Sequence, residues 1–295
     1  MPFFTVIIPT YNRAVLLARA IQSVLRQTFT DFELIVVDDH STDGTASVVE
    51  NIDDTRVIYM VNGRAKGSAG AKNTGVARSR ADWIAFLDDD DYWLPEKLER
   101  QHQKIMSVDD GFGLVYTLSS DLKDGMLLNR REKPVEGFVF LDMLFNDYIG
   151  TASCVAVRKR AVEHVGGFDE RFPSKVDTDL YIRLAKNYKV ACIREVLAIR
   201  DLAPNNRISR SARKKLNANL LFYRKYHKYL IQRMKLKSRA LSNVFANALV
   251  EGQWKHVIRT FPYALVAILY DSKRLRYLAR RIGRAVKRGL ALLTK

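Results

Sequence analysis

Phe4-Thr5-Val6-Ile7-Ile8-Pro9-Thr10-Tyr11-Asn12-Arg13 opens the chain with an apolar, β-branched run of strand length that stops at a proline and a polar turn. The period then changes. Leu16, Leu17, Ala20, Ile21, Val24 and Leu25 recur at helical spacing. A second run, Glu33-Leu34-Ile35-Val36-Val37, ends in Asp38 and Asp39, and further runs occupy 56–61 and 83–87 with a helical segment over 71–80 between them. Strand, helix, strand, helix predicts a mostly parallel sheet with covering helices, an α/β fold. Beyond it, 113–117, 153–157, 189–193 and 196–200 read as strands and 180–186 as helix.

From about Ser209 the pattern is almost wholly helical, with main segments over 211–239, 241–249 and 275–293. Asp201 to Ser209, rich in Asn, Pro and Arg, reads as the junction. The expected organisation is one α/β domain over 1–209 and a helical extension over 210–295.

Charge divides at the same place. The chain of 295 residues carries 49 Lys and Arg against 32 Asp and Glu, a net of +17. Residues 207–295 hold 23 of those cations against only Glu251 and Asp271, so the rest of the chain is mildly acidic. A basic extension on an acidic body predicts a polyanionic partner for the extension. Nucleic acid is not expected, because no recognition module or aromatic platform accompanies the charge. Composition, 47% hydrophobic and 27% charged, is that of a globular chain. The apolar stretches 3–9 and 261–270 are too short to span a bilayer, which needs about 20 residues. The N-terminus shows no secretory pattern, so a cytoplasmic location is expected. Cys154 and Cys192 exclude a disulfide framework or a four-ligand zinc site and read as buried filler.

Chemistry concentrates in Phe86-Leu87-Asp88-Asp89-Asp90-Asp91-Tyr92-Trp93. Four consecutive carboxylates after an apolar strand repel one another unless something positive is bound. In an extended run Asp88 and Asp90 share a face about 6–7 Å apart, one able to hold a hard cation and the other a ligand hydroxyl. A solvated turn that caps a helix near Pro95 through Asp91 is the plainer alternative. Asp38 and Asp39 close the second strand, where open α/β sheets bind ligands. With Pro9, Thr10 and Tyr11 they suggest a pocket where Tyr11 stacks on a base and Asp39 accepts a hydrogen bond from its edge. The small-residue segment 67–75 opens a helix and carries Lys72, which suits a diphosphate. It matches neither the P-loop nor the dinucleotide fingerprint.

In order, VIIPTYNR (6–13), VVDDHSTDGT (36–45), GSAGAKNTG (67–75), FLDDDDYW (86–93), VGGFDERF (165–172) and VDTDLYIRLA (176–185) resemble the successive motifs of the family 2 inverting glycosyltransferases with the GT-A fold. The resemblance covers about residues 3–209. It implies that Pro9, Thr10, Tyr11 and Asp39 bind the nucleotide base, that Lys72 contacts the sugar or diphosphate, and that Asp88 faces the ribose or metal. It implies Asp90 as the carboxylate for Mn²⁺ or Mg²⁺, and a general base at Asp177 or Asp179, of which Asp177 keeps the family's spacing to the following helix. The family's usual Glu before the base is Val176 here, and Lys72 stands where Arg is usual. Gly167, Phe168 and Asp169 resemble the acceptor-side loop, with Asp179 nearby. The donor expected is a nucleotide diphosphate sugar, UDP first, with dTDP and GDP open.

Along 274–293, Leu275, Leu278, Ile282, Ala285, Val286 and Leu293 keep helical spacing while Arg276, Arg280, Arg284, Lys287 and Arg288 fall on another side. A basic amphipathic helix of this kind can lie in an anionic membrane interface, with 261–270 dipping in beside it. The enzyme would then be peripheral at the inner face of the cytoplasmic membrane, and the acceptor a lipid-linked glycan of surface polysaccharide, O-antigen or lipopolysaccharide synthesis. A sugar nucleotidyltransferase and a non-catalytic sugar-nucleotide or lipid-binding scaffold are the competing classes. The first would need a Gly-rich triphosphate loop, which PTYNR lacks.

Overall fold

The computed structural model describes residues 1–129, 134–202, 211–270, 275–283 and 285. The chain divides into two compact units, Met1–Glu170 with Val176–Asn205, and Arg171–Lys175 with Asn206–Lys295.

In the first unit the apolar runs become strands β1 (Phe4–Thr10), β2 (Phe32–Asp38), β3 (Val57–Val61) and β4 (Trp83–Phe86), then β5 (Asp91–Trp93), β6 (Phe112–Lys123), β7 (Met126–Asn129), β8 (Val155–Arg158) and β9 (Lys189–Asp201). Its helices are α1 (Ala14–Leu25), α2 (Thr45–Glu50), α3 (Ser68–Arg78), α4 (Lys97–Met106), α5 (Phe140–Phe145), α6 (Lys159–His164) and α7 (Val176–Asn187). The sheet runs β3-β2-β1-β4-β8-β6-β9-β5, with β7 paired to β6. β1 is parallel to both β2 and β4, in register through Phe4 with Phe32 and Trp83. β8 is antiparallel to both β4 and β6, a seam between the parallel group β3-β2-β1-β4 and the mixed remainder.

Every residue of β1 and β2 is buried, in keeping with their largely apolar runs. α1 turns Leu17, Ala20, Ile21 and Val24 inward. α3 lies so close to β1 that a Cβ on Gly75 would come within 2.7 Å of the Ile7 side chain. The glycine there sets how near the Lys72 helix comes to the sheet.

Several elements differ from expectation. The carboxylate run is not extended: the Asp91 amide donates to the Asp88 carbonyl, 3.0 Å, so 88–91 is a turn, and alternation of faces does not apply. Asp91 does not cap a helix either. It starts β5, and α4 begins after Glu96. The two strands expected over 189–200 are one, β9, with irregular register against β6. The expected junction over 203–209 lies outside the described residues; Asp201 itself ends β9 and pairs with Arg19, 2.7 Å. Both cysteines are buried and unbridged, in keeping with filler.

α4 carries a polar core residue. Lys97 is fully buried, its ammonium 3.6 Å from the Trp93 ring centroid and 2.8 Å from Gln101 Oε1. Burial brings it down to about 7. Gln101 in turn donates to the Cys154 carbonyl, 3.1 Å, and Trp93 Nε1 donates to the Ser153 carbonyl, 2.7 Å.

The second unit is built on α8 (Ala212–Leu230), α9 (Met234–Val250) and α10 (Trp254–Tyr270). The break between α8 and α9 falls at 231–233, not near residue 240. Leu216, Val244, Phe245, Ala246, Ala248, Val257, Ala264 and Leu278 make its core. α10 buries Val257, Thr260, Ala264 and Ala267, while Trp254, Ile258, Phe261, Leu265 and Leu269 are exposed. These five lie at intervals of three or four, so they share one face. Of the basic helix expected over 274–293, residues 275–283 are helical. Leu278 faces inward there, while Leu275 and Ile282 are exposed. Residues 274, 284 and 286–293 lie outside the described residues. Among the described residues no helix is long and apolar enough to cross a membrane.

Candidate active site

The C-terminal ends of β1, β2 and β4, the start of α3 and the first turn of α7 supply the charged side chains singled out in the sequence. β1 delivers Thr10, whose hydroxyl donates to Asp89 Oδ2, 2.9 Å. Arg13 Nη1 lies 2.8 Å from Asp89 Oδ1 and 3.2 Å from Asp90 Oδ2. Burial, with Asp90 beside it, pushes Asp89 up to about 6 against the pull of Arg13.

The four carboxylates of the turn therefore face different neighbours. Asp88 Oδ1 is 3.2 Å from Lys72 Nζ, and Asp88 Oδ2 accepts from Thr151, 3.4 Å. Asp89 and Asp90 meet Arg13. Asp91 Oδ2 accepts from Ser153 Oγ, 2.6 Å, and from Thr151, 3.2 Å. The Asp90 carbonyl accepts from Arg19 Nη2, 2.8 Å. The 3₁₀ turn Ala152–Cys154, whose N-cap is Thr151, thus clamps both ends of the run.

Around the expected base pocket, Asp39 is buried and both its oxygens are used. Asn62 Nδ2 donates to Oδ1, 2.7 Å, and the Gly67 amide donates to Oδ2, 2.8 Å. Asp39 thereby fixes the entry to α3, and each oxygen keeps a second lone pair. Tyr11 is exposed, with Lys66 Nζ 4.3 Å from its ring centroid. Pro9 is buried at the end of β1.

Lys72 joins the two halves of the site. Fully buried on α3, its ammonium is 2.8 Å from Asp177 Oδ1 as well as 3.2 Å from Asp88. The two carboxylates raise the lysine above its ordinary range despite burial, so it stays charged. Asp177 stands in the first turn of α7 with 29% of its side chain exposed. Burial and the nearby Asp88 push its carboxyl up, with Lys72 pulling the other way. Asp179 is fully buried and bonded to Arg183, 2.9 Å, a structural pair inside α7. Of the two acids, Asp177 is partly exposed and Asp179 is not.

In the loop expected on the acceptor side, Gly167 has φ +69°, and a Cβ there would meet Asn73 Oδ1 at 2.7 Å. Asn73 accepts from the Phe168 amide, 2.8 Å, and donates to the Phe168 carbonyl and to Glu170. Phe168 is buried edge-on against Phe86, 5.2 Å between centroids. Asp169 follows it, half-buried. The sequence reading missed Arg13, Asn73, Thr151 and Ser153. Only Arg13 and Asn73 had a signal, since they sit inside the quoted motifs.

Residues 5–166 match the model of the domain called glycosyl transferase family 2. A Campylobacter jejuni protein, the GalNAc(5)-diNAcBac-PP-undecaprenol beta-1,3-glucosyltransferase, is 42% identical over 130 residues, 43% of this chain and 41% of its own length. The Escherichia coli UDP-Glc:alpha-D-GlcNAc-diphosphoundecaprenol beta-1,3-glucosyltransferase WfgD is 31% identical over 189 residues, 64% of this chain and 72% of its own. The chain thus spans about two-fifths of the first relative and nearly three-quarters of the second. Among solved structures, the mannosyltransferase PcManGT from Pyrobaculum calidifontis, in complex with GDP-Man and Mn²⁺, superimposes with a TM-score of 0.61 at 18% identity, covering 98% of this chain and 87% of that one. At that identity the likeness shows the fold, which is GT-A. Domain match and the extent of the second relative agree with the motif order: the chain belongs to glycosyl transferase family 2.

Proposed function

We propose that the chain is an inverting glycosyltransferase that moves a sugar from a UDP-sugar to a hydroxyl of a lipid-linked glycan, with Asp177 as general base. The observation that carries this reading is the buried ammonium of Lys72 held between Asp177 and Asp88. It ties a half-exposed acid, able to take a proton, to the side of the site where the nucleotide diphosphate would lie. An acceptor hydroxyl is a poor nucleophile, and a raised carboxylate pKa makes a better base near neutrality. As the acceptor oxygen attacks the anomeric carbon, its proton passes to Asp177. The bond from that carbon to the diphosphate oxygen breaks, and the electron pair leaves with UDP. One displacement inverts the anomeric centre, so an α-linked donor gives a β-linked product, the linkage in the names of both relatives. Lys72 keeps its charge and meets negative charge developing on the leaving group.

Hard divalent ions take carboxylate oxygens, and Asp90, now 3.2 Å from Arg13 Nη1, would give one by exchanging that contact for the ion. Among the described residues no three His, Cys, Asp or Glu side chains gather at one point. The protein's share of such a site is therefore one or two oxygens, which fits an ion completed by diphosphate and water. Mn²⁺ or Mg²⁺ bound at Asp90 would offset charge on the diphosphate.

A transferase domain over 1–209 and a basic extension over 210–295 divide the work in this reading. The extension, with its 22 Lys and Arg, would rest on the anionic inner face of the cytoplasmic membrane where a polyprenyl-linked acceptor sits. The test is UDP binding by thermal shift, with and without Mn²⁺, together with turnover of UDP-glucose on an undecaprenyl-diphosphate-linked GlcNAc analogue. Asp177→Asn is expected to keep UDP binding and lose about 10²–10⁴-fold in kcat, the usual share of a general base. Full turnover in that variant, or no nucleotide binding by folded wild type, would sink the reading.

A further inference from the structure

Tyr181 follows Asp177 by four residues on α7, one turn along the same helix face. Its side chain is 1% exposed, and its hydroxyl has no hydrogen-bond partner among the described residues. The setting is far from apolar. Asp177, Asp147 and Asp88 all bear on the phenol, and with burial they hold it well above its ordinary range, so it stays an O–H donor. Leaving a buried donor unpaired costs about 1–3 kcal/mol. Phenylalanine would fill the space without that cost.

The neighbouring oxygens narrow where this donor can go. Asp147 Oδ1 is taken by the Gly150 amide, 2.9 Å, and Oδ2 by Thr178, 3.0 Å. Asp88 is held by Lys72 on one oxygen and by Thr151 on the other. Asp177 is held by Lys72 on Oδ1 alone. Each oxygen of Asp147 and Asp88 already accepts one contact, and Asp177 Oδ2 accepts none among the described residues, which makes it the least occupied acceptor of the three carboxylates.

We propose that Tyr181 is a positioning residue whose hydroxyl donates to Asp177 Oδ2 in the substrate complex and keeps that carboxylate aimed at the acceptor hydroxyl. This rests on the reading of Asp177 as the base. A diphosphate that draws on the charge of Lys72 loosens the tether on Oδ1, and the phenol supplies a second. The unpaired hydroxyl is then a stability cost kept for turnover.

The experiment uses the full chain with UDP-glucose and the undecaprenyl-linked GlcNAc analogue. Tyr181→Phe is made in wild type and in Asp177→Asn, and para-aminophenylalanine, which keeps a donor at the ring tip, is placed at 181. In wild type the Phe variant is expected to lose about tenfold in kcat, a factor that equals 1.4 kcal/mol, with the donor KM within about twofold. Its melting temperature should stay level or rise, because an orphaned polar group has gone. The amino analogue should recover at least about half of the lost rate, and in Asp177→Asn the Phe change should alter the residual rate less than about twofold. An unchanged kcat, an equal loss in both backgrounds, a rise confined to donor KM, or a lower melting temperature would each overturn the proposal. Failure of the base itself is read separately, from full turnover in Asp177→Asn alone.

Discussion

Lys72 is the residue on which both sides of the site depend. Removing it leaves Asp88 and Asp177 facing each other without a cation. The sign for catalysis follows from the same contact. Lys72 pulls the Asp177 carboxyl down while burial and Asp88 push it up, so loss of the ammonium moves it further up. Since the ionised form is the base, Lys72→Met should shift the acid limb of the kcat profile to higher pH. The rate deficit should be about tenfold or more at pH 7 and shrink toward pH 9. A deficit constant across that range would mean that the lysine does not set the protonation of the base. At this scale the sequence was legible by type and not by partner. It marked 88–91 as chemistry, yet four identical side chains carry no sign of which meets Lys72, which meets Arg13 and which is tied to Ser153. Those assignments come from the turn and from Thr151 and Ser153, ordinary loop residues outside every motif.

Among the elements, α10 departs furthest from expectation. The sequence reading took 261–270 as an apolar stretch and expected no helix over 254–270, and Pro262 lies in the interior of the helix that forms there. The helix runs through the proline, and the outcome is an unbroken stripe from Trp254 to Leu269, with Ile258 at 72% and Leu269 at 86% exposure. Lys255 and Arg259 are exposed on the same helix. An apolar stripe beside cations is the pattern of a helix lying in an anionic interface, each nearby cation contributing about 1 kcal/mol. Ile258→Glu with Leu269→Glu should abolish sedimentation with phosphatidylglycerol vesicles and leave turnover of a short-chain, water-soluble acceptor within about twofold. Equal sedimentation of variant and wild type would remove this helix from the membrane reading. By contrast β1, β2 and β4 were plain in the sequence, because strands buried in the middle of a sheet are mostly apolar, and the polar pair within them, Thr5 and Glu33, bond to each other at 2.6 Å. The three-residue β5 was not, since so short a run is fixed by β9 beside it and not by its own residues.

For the molecule as a whole, Lys97 links stability to pH. An ordinary lysine holds its proton to about 10.4, whereas burial brings Lys97 to about 7. Between those values the unfolded chain binds a proton that the folded chain has released, so stability rises with pH across that window. Below it both states are charged and the slope from this residue vanishes. The melting temperature of wild type should therefore climb relative to Lys97→Met between pH 7 and 9, about 2–4 °C for each kcal/mol in a chain of this size. Parallel curves for the two would show that the ammonium is not desolvated as its burial implies. The seam at β8 also bears on how such enzymes diversify. Every residue expected to hold the nucleotide comes before it in the chain, and the acceptor-side loop and Asp177 come after it. In the proposed reading, donor and acceptor recognition are therefore contiguous blocks of the chain, and a single crossover near the 107–111 turn would exchange one of them. Such a chimera stays matched only if it conserves the couples that straddle the joint: Lys72 with Asp177, Asn73 with Phe168 and Asp91 with Ser153.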